Sequence, residues 1–296
     1  MLQSLKVGFF RRFYRCSAWL AWRAPSVHSE PGGLELPSAI GQLRAHLYEG
    51  PKAAERPLVI YFHGGGWVVG DLQTHHAYCR ALSQHSGATL IAIDYRLAPE
   101  HLFPAAHDDC LAAADSIAER IGDFGPSNGS IVLAGDSAGA NLAVCTALDA
   151  GDTLRAKLSG TLLTYPVADH YSTPYPSYQD CATGQALTSK MMLWFWDSYL
   201  GNTDPQADSA RRAMPLQRDD LQGLPPALIC TAGRDPLRDE GMAFVKALEE
   251  VGVAVAYEHY PDSEHGFAST MGPSEDYTTW LDCCSSWLGA LTPPQS

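Results

Sequence analysis

The sequence predicts an α/β fold in which a mostly parallel sheet is covered by helices on both faces. Three observations support this prediction. Short aliphatic runs end in Gly, Pro or polar residues, as buried strands do. These runs are apolar throughout rather than alternating, which is typical of strands buried on both faces. Helix-like segments separate them along the chain.

The predicted strands follow one another from residue 42 onwards. Their sequences are QLRAHLY, LVIYFHGGGW, ATLIAIDYRL, GSIVLAG, LSGTLLTYP, PALICTAG and VAVAYEHY. Glycines end two of the intervening helix patterns, at Gly87 and Gly252. A chain of 296 residues with 46% hydrophobic residues can bury a full core, and we assign residues 41–296 to one domain.

The first segment outside this alternation is residues 1–40, which we assign to an N-terminal cap segment. Residues 1–29 contain five basic residues and no acid, so the other 15 Lys and Arg residues face all 33 Asp and Glu residues. The apolar stretch Cys16–Trp22 is too short for a membrane span and no clear cleavage site follows it. We expect an amphipathic helix that packs on the protein itself, with no stable membrane insertion.

The second segment is an insertion at about residues 169–222, rich in Tyr, Trp, Pro and Met. It contains one clear helix pattern, Ser189–Leu200. Insertions of this composition above the carboxyl edge of a sheet can cover a ligand, although an aromatic stripe is more often ordinary core. We expect both here: packing on one face of the insertion and a pocket wall on the other. The aromatic residues that we expect to line its pocket are Trp67, Tyr171, Trp194 and Trp196.

The remaining composition excludes several classes of function. A net charge of −13 and a pI near 5.2 leave no basic face for nucleic-acid phosphates. The eight cysteines are scattered without a CxxC pair, which predicts neither a zinc site nor a disulfide framework. We therefore expect no metal, and a protein of the reducing cytoplasm.

The stretch IVLAGDSAGANLAV contains the most informative motif. Gly135 and Gly139 lie two residues either side of Ser137, where a predicted strand turns into a predicted helix. In a nucleophile elbow the turn is so tight that larger side chains at the two glycine positions would collide. The alternative is a helix N-terminus with small residues for close packing. Because the strand and the helix are both predicted here, we interpret Ser137 as a nucleophile.

A serine nucleophile requires a base and an acid that orients it, and in this architecture the acid precedes the base along the chain. Asp235 follows the strand PALICTAG, and His265 follows the strand VAVAYEHY. Asp169 is the rival acid because it follows an earlier strand. We favour Asp235 with His265. We place Asp239 and Glu240 in the first turn of the next helix, where negative charge is favourable.

The triplet of glycines in HGGGWVVG follows another predicted strand. Glycines allow backbone N–H groups to approach a developing negative oxygen closely. The alternatives are a flexible loop or a phosphate cradle, but no GxGxxG or Walker pattern accompanies it. We expect an oxyanion hole formed by the N–H groups of Gly64, Gly65 and Ala138, with His63 bracing the loop.

Five motifs in order resemble those of the bacterial hormone-sensitive-lipase-like esterases, also called family IV. They are HGGGW (63–67), DYRLAPE (94–100), GDSAGAN (135–141), DPLRDE (235–240) and HGF (265–267), and the resemblance covers about residues 40–290. It implies an α/β-hydrolase fold with a mostly helical cap, no cofactor, and esterase activity that favours short acyl chains.

Position by position, the resemblance implies the triad Ser137, Asp235 and His265, and oxyanion glycines at Gly64 and Gly65. The family's YRLAPE segment is usually structural, so we give Tyr95, Arg96 and Glu100 no catalytic role. The N-terminus is shorter and more basic than in many members, which affects the geometry of the cap.

We therefore expect a serine carboxylesterase whose partner is a small-molecule ester. An amidase or carbamate hydrolase would use the same triad and is an open alternative. A non-catalytic binder of a small ligand is another, since some relatives of the family have lost the triad histidine. The intact His265 argues against it. A homodimer is among the oligomeric states that the sequence leaves open.

Overall fold

The computed structural model describes residues 2–22, 32–38 and 41–294. Within them, eight strands form one sheet: β1 (Gly32–Ser38), β2 (Gly41–Tyr48), β3 (Leu58–Phe62), β4 (Leu90–Ile93), β5 (Ile131–Asp136), β6 (Leu158–Thr164), β7 (Ala227–Arg234) and β8 (Val255–Glu264). The order across the sheet is β1-β2-β4-β3-β5-β6-β7-β8. In this sheet β2 runs antiparallel to both of its neighbours, β1 and β4, and all the other neighbouring pairs are parallel. The predicted mostly parallel sheet is confirmed.

Ten α-helices surround the sheet in the described part of the chain: α1 (Leu2–Ala21), α2 (His76–Ser86), α3 (Ala105–Glu119), α4 (Ala138–Leu148), α5 (Asp152–Arg155), α6 (Ser177–Asp180), α7 (Ser189–Leu200), α8 (Asp208–Arg211), α9 (Arg238–Glu250) and α10 (Glu275–Ala290). Helices α3, α4 and α9 contribute to one apolar cluster, and α2 and α10 contribute to another. The sheet lies between these clusters, so the helices cover both faces as predicted.

Residues 2–21 form α1, and this helix packs on the protein as the sequence analysis expects. Val7 and Ala18 are buried on its inner side. The Arg11 Nε–H donates to the carbonyl of Val68 at 2.8 Å, and beyond the helix the Trp22 indole donates to the carbonyl of Ser269 at 3.1 Å. Helix α1 therefore connects the loop after β3 to the loop after β8. No helix among the described residues combines the length and the apolar character that crossing a bilayer requires.

The sheet begins earlier than expected. Residues 32–38, which we expected within the N-terminal cap segment, form β1 and pair with β2 from Gly32 opposite Leu47 to Ser38 opposite Gly41. The alternation GGLELPS places Leu36 on the buried side, where its side chain is 1% exposed. A short alternating pattern next to glycines is a weak signal for a strand in the sequence. The strand forms because its backbone pairs with β2.

The insertion between β6 and β7 is helical. It contains α6, α7 and α8 and two short 3-10 turns, Pro215–Gln217 and Leu221–Gly223. Helix α7 has the bounds that the sequence predicted. Its first turn is capped because the Thr188 side chain accepts a hydrogen bond from the N–H of Met191 at 3.3 Å.

Candidate active site

Ser137 stands in a strained turn between β5 and α4. Its φ of 55° and ψ of −120° lie where residues other than glycine are rarely found. A Cβ on Gly139 would collide with the backbone carbonyls of Phe62 and His63, and one on Gly135 would collide with the backbone of Gly139. The structure therefore explains the two glycines by lack of space, as the sequence analysis predicted.

The structure brings Ser137, His265 and Asp235 together. The Ser137 Oγ lies 3.0 Å from the His265 Nε2, and the His265 Nδ1 lies 2.6 Å from the Asp235 Oδ2. The second oxygen, Asp235 Oδ1, accepts a hydrogen bond from the N–H of Leu237 at 2.9 Å. Asp235 is fully buried, while the His265 side chain is 12% exposed. A carboxylate held in this way can fix the orientation of the imidazole beside a hydroxyl.

The rival acids belong to other parts of the fold. Asp169 accepts hydrogen bonds from Gln217 at 2.8 Å and from the Tyr175 hydroxyl at 3.1 Å, both in the insertion. Asp239 and Glu240 lie in the first turn of α9, as predicted. Burial raises the pKa of Glu240 far above its usual range, against the opposing effect of hydrogen bonds from the backbone N–H groups of the segment that follows β6.

The loop after β3 corrects one expectation for the oxyanion hole. The N–H of Gly64 donates to the buried Asp136 Oδ1 at 2.8 Å, so this group already has a partner. Gly65 and Gly66 border the cavity next to Ser137, with φ values of 119° and 58°. In the hydrogen-bond network of the described residues, the N–H groups of Gly65, Gly66 and Ala138 donate to no protein acceptor. The N–H of Gly64, the first glycine of the triplet, is directed to Asp136, and Gly64 is not part of the cavity wall.

His63 stabilises this loop through contacts with Gly64 and Tyr95. Its Nδ1 lies 2.8 Å from the carbonyl oxygen of Gly64, and its ring stacks on Tyr95 with centroids 4.3 Å apart. The Tyr95 hydroxyl donates to the carbonyl of His63 at 2.6 Å. Burial lowers the pKa of His63, and the neighbouring His75 lowers it further, which favours the neutral imidazole.

The other charged residues of the YRLAPE segment make structural ion pairs. Arg96 binds both oxygens of Asp109 on α3, at 2.7 and 2.8 Å. Glu100 binds Arg11 of α1 at 2.8 Å. Both pairs connect the loop after β4 to a helix, and neither involves Ser137 or His265.

A cavity of about 540 Å³ opens above Ser137 and His265. Most of its wall is apolar and comes from α1, α7 and the loops after β3 and β8. The side chains that form this wall include Phe10, Phe13, Tyr14, Val69, Val167, Leu187, Met191, Met192, Phe195 and Met271. Such a volume accommodates a small organic molecule.

The four aromatic residues that we expected in the pocket lie elsewhere. Trp67 and Trp196 are fully buried, and the Trp67 ring stacks on Tyr199 with centroids 4.3 Å apart. Tyr171 and Trp194 pack against the apolar core from its periphery. None of the four is in the cavity wall. In α7 the wall is formed instead by Met191, Met192 and Phe195.

The sequence analysis did not identify the part of α1 that faces the cavity. Phe10, Tyr14, Ser17 and Ala21 recur every three or four residues along α1, and all four line the cavity. The sequence pattern indicated the helix but not which side chains would meet the site. Within residues 2–22, 32–38 and 41–294, no group of three or more His, Cys, Asp or Glu side chains is placed to hold a metal ion.

Comparison with known proteins identifies the family. Residues 59–269 match a protein family described by its alpha/beta hydrolase fold. The chain belongs to this family. The match covers all five motifs, from HGGGW (63–67) to HGF (265–267), and it confirms the resemblance drawn from the sequence.

Curated relatives of this hydrolase are ester hydrolases. The carboxylic ester hydrolase LipN of Mycobacterium tuberculosis is 38% identical over 252 residues, which are 83% of this chain and 66% of LipN. The ethyl acetate hydrolase of Pseudomonas putida is 36% identical over 265 residues, 87% of this chain and 81% of that protein. This hydrolase thus spans about two thirds of the length of LipN.

The fold of this hydrolase is similar to that of a hyperthermophilic esterase from the archaeon Pyrobaculum calidifontis. The two share 34% sequence identity with a TM-score of 0.88, over 96% of this chain and 91% of the other. Together with the curated relatives, this similarity places the chain among the carboxylic ester hydrolases.

Proposed function

We propose that this hydrolase cleaves short-chain carboxylic esters through an acyl-enzyme on Ser137. The observation that carries the proposal is the pair of contacts at 3.0 and 2.6 Å that link Ser137, His265 and Asp235 beneath an apolar cavity. This arrangement gives a hydroxyl, a base and a buried carboxylate that orients the base.

The reaction proceeds in two halves. The Ser137 Oγ attacks the carbonyl carbon while His265 Nε2 accepts the hydroxyl proton. The tetrahedral intermediate collapses, the C–O bond to the alcohol breaks, and His265 returns the proton to the departing alkoxide. Water then attacks the acyl-enzyme with His265 again accepting a proton. Release of the carboxylic acid returns that proton to the Ser137 Oγ.

The negative oxygen of each tetrahedral intermediate would be bound by the N–H groups of Gly65, Gly66 and Ala138. Two observations support this set over the one that includes Gly64: the N–H of Gly64 donates to Asp136, and the next two glycines border the cavity. The N–H of Ala138 lies in the first turn of α4, where helical N–H groups have no partner within the helix.

Helix α1 and the insertion at residues 169–222 would together form the cap over this site. Phe10 of α1 packs edge-on against Trp194 of α7, with ring centroids 5.4 Å apart. Residues from both elements line the cavity. An apolar wall of this kind binds uncharged acyl and alcohol groups.

The proposal is tested with p-nitrophenyl esters from acetate to dodecanoate. We expect kcat/KM to be highest for the short esters and to fall for decanoate and dodecanoate, as the resemblance to the family IV esterases implies. A fluorophosphonate should label Ser137 and stop the reaction. Hydrolysis of p-nitroacetanilide at a rate comparable to the ester would favour the amidase alternative. Absence of both labelling and hydrolysis would favour a binding protein.

The rate should decrease in acid. A protonated imidazole on His265 cannot accept the Ser137 proton, so kcat/KM should fall as the pH is lowered from about 8 to about 5. The sign follows from the neutral form being the reactive one. Initial rates with p-nitrophenyl butyrate in buffers of constant ionic strength measure this. A rate that is constant over that interval would contradict His265 as the base.

A further inference from the structure

Asp136, the residue before Ser137, has no part in the steps above, yet its side chain makes contacts on two sides of the site. It is 2% exposed. Oδ1 accepts hydrogen bonds from the Tyr61 hydroxyl at 2.5 Å and from the Gly64 N–H at 2.8 Å. Oδ2 accepts one from the Ser269 hydroxyl at 2.8 Å. The His75 Nε2 lies 3.4 Å from Oδ1.

These contacts require an ionised carboxylate. Burial alone would raise the pKa of Asp136, but the charge on His75 and the hydrogen bonds from His75, Tyr61 and Ser269 outweigh burial and hold the pKa well below its usual range. An ionised carboxylate accepts hydrogen bonds with both oxygens and donates none, so all three close donors are satisfied at once. A carboxamide of the same size could not do this, because one of its two ends is a donor.

On one side, Asp136 holds the loop after β3 that contains Gly64, Gly65 and Gly66, which we call the oxyanion loop. Its bond to the Gly64 N–H fixes the orientation of that peptide, and the next two residues carry the N–H groups that border the cavity. The contact is close, since a Cβ on Gly64 would lie only 2.9 Å from the carboxyl carbon. The loop therefore sits directly against Asp136.

On the other side, Asp136 holds the loop that carries His265. Ser269 lies four residues after His265, and its hydroxyl donates a hydrogen bond to Asp136. The Ser269 oxygen must then accept a hydrogen bond from the Tyr165 hydroxyl, 2.7 Å away. The Tyr165 ring packs on the His265 ring with centroids 4.5 Å apart. One carboxylate thus reaches both the oxyanion loop and the support of the imidazole.

We propose that Asp136 is a positioning residue that fixes the oxyanion loop and the His265 loop at their correct separation around Ser137. This inference rests on the proposed function of Ser137. The side chain does not touch the reacting atoms. It acts through Gly64 on one loop and through Ser269 on the other, so that the hydroxyl, the imidazole and the N–H donors share one rigid frame.

The test is Asp136→Asn, which keeps the size of the side chain. We expect kcat for p-nitrophenyl butyrate to fall about 100-fold, the loss expected from misplacing catalytic groups by about 1 Å or from losing one oxyanion donor, with KM within about twofold of wild type. A trifluoromethyl ketone, which places a negative oxygen in the oxyanion hole, should bind more weakly by a similar factor. Rates are counted per site labelled by fluorophosphonate.

Ser159→Ala is the matched control. Ser159 is also buried and donates to the carbonyl of Ile131 at 3.2 Å, at the opposite end of β5 from Ser137. This variant loses a buried hydrogen bond without touching the site, so its rate per labelled site should equal that of wild type. Ser269→Ala is the second variant, should Asp136→Asn fail to fold. It releases only the His265 loop, and we expect a kcat loss of about 10-fold with KM unchanged.

The outcomes separate this inference from the proposed function. An inactive, unlabelled wild type overturns both. An active wild type with Asp136→Asn and Ser269→Ala at wild-type rates per labelled site overturns only the inference. It is also overturned if the loss in either variant appears only as fewer labelled sites and a lower melting temperature, because that is the result of a purely structural residue. A lower kcat per labelled site with KM and the Ser159→Ala control unchanged supports it.

Discussion

Replacing Ser137 by Ala is expected to reduce kcat for p-nitrophenyl butyrate by on the order of a million-fold, to the background of the oxyanion hole and substrate binding alone. The hydroxyl 3.0 Å from the His265 Nε2 is the group that forms the acyl bond, and a methyl group cannot replace it. KM should change little, because Ala leaves the cavity wall intact. Initial rates and fluorophosphonate labelling measure the effect.

Ser159→Ala again serves as the control for Ser137→Ala, since it removes a serine hydroxyl buried elsewhere in the same sheet. It should keep the wild-type rate and the label. If Ser137→Ala hydrolysed the ester within tenfold of the wild-type rate, the acyl-enzyme mechanism would be wrong.

Replacing Asp235 by Asn is expected to lower kcat by about 10⁴-fold. The reason lies in the two contacts of the carboxylate. With its oxygen on the Leu237 N–H, the amide would turn its NH₂ group toward the His265 Nδ1. The Nδ1 would then have to accept a hydrogen bond from this NH₂ group, which places the imidazole hydrogen on Nε2, facing Ser137. In that tautomer His265 cannot take the proton of the nucleophile.

Asp169→Asn is the informative comparison for Asp235→Asn, because Asp169 is the rival acid in sequence order. Its partners are Gln217 and Tyr175 rather than His265, so we expect kcat within about threefold of wild type. Steady-state kinetics of the two variants side by side decide between the acids. A larger loss from Asp169→Asn than from Asp235→Asn would reverse the assignment.

The parts of the site that follow from chain order could be predicted from the sequence. In a parallel sheet, the loops after successive strands meet at one edge, so residues that follow β5, β7 and β8 converge whatever lies between them. This placed Ser137, Asp235 and His265 together. The tight turn around Ser137 was also readable, because only glycine fits at Gly135 and Gly139.

The parts that depend on side-chain direction could not be predicted in the same way. The first glycine of the triplet turns its N–H toward Asp136, a contact between β5 and the loop after β3 that no local pattern contains. Likewise, Trp196 and Phe195 are neighbours on α7, yet the tryptophan packs into the core while the phenylalanine faces the cavity. Helix register relative to the sheet decides this, and composition carries no information about it.

Helix α1 is held on the protein partly by exposed ion pairs, whereas the triad is held by a buried contact. Two of its anchors are ion pairs near the surface, Arg11 with Glu100 and Arg15 with Asp71, in which the arginines are 29% and 61% exposed. Dissolved ions weaken such pairs, since charges are screened beyond about 8 Å at physiological ionic strength. The enclosed Asp235 and His265 contact is shielded from this effect. Concentrated salt should therefore weaken the attachment of α1 over the cavity, while the contacts among Ser137, His265 and Asp235 stay intact.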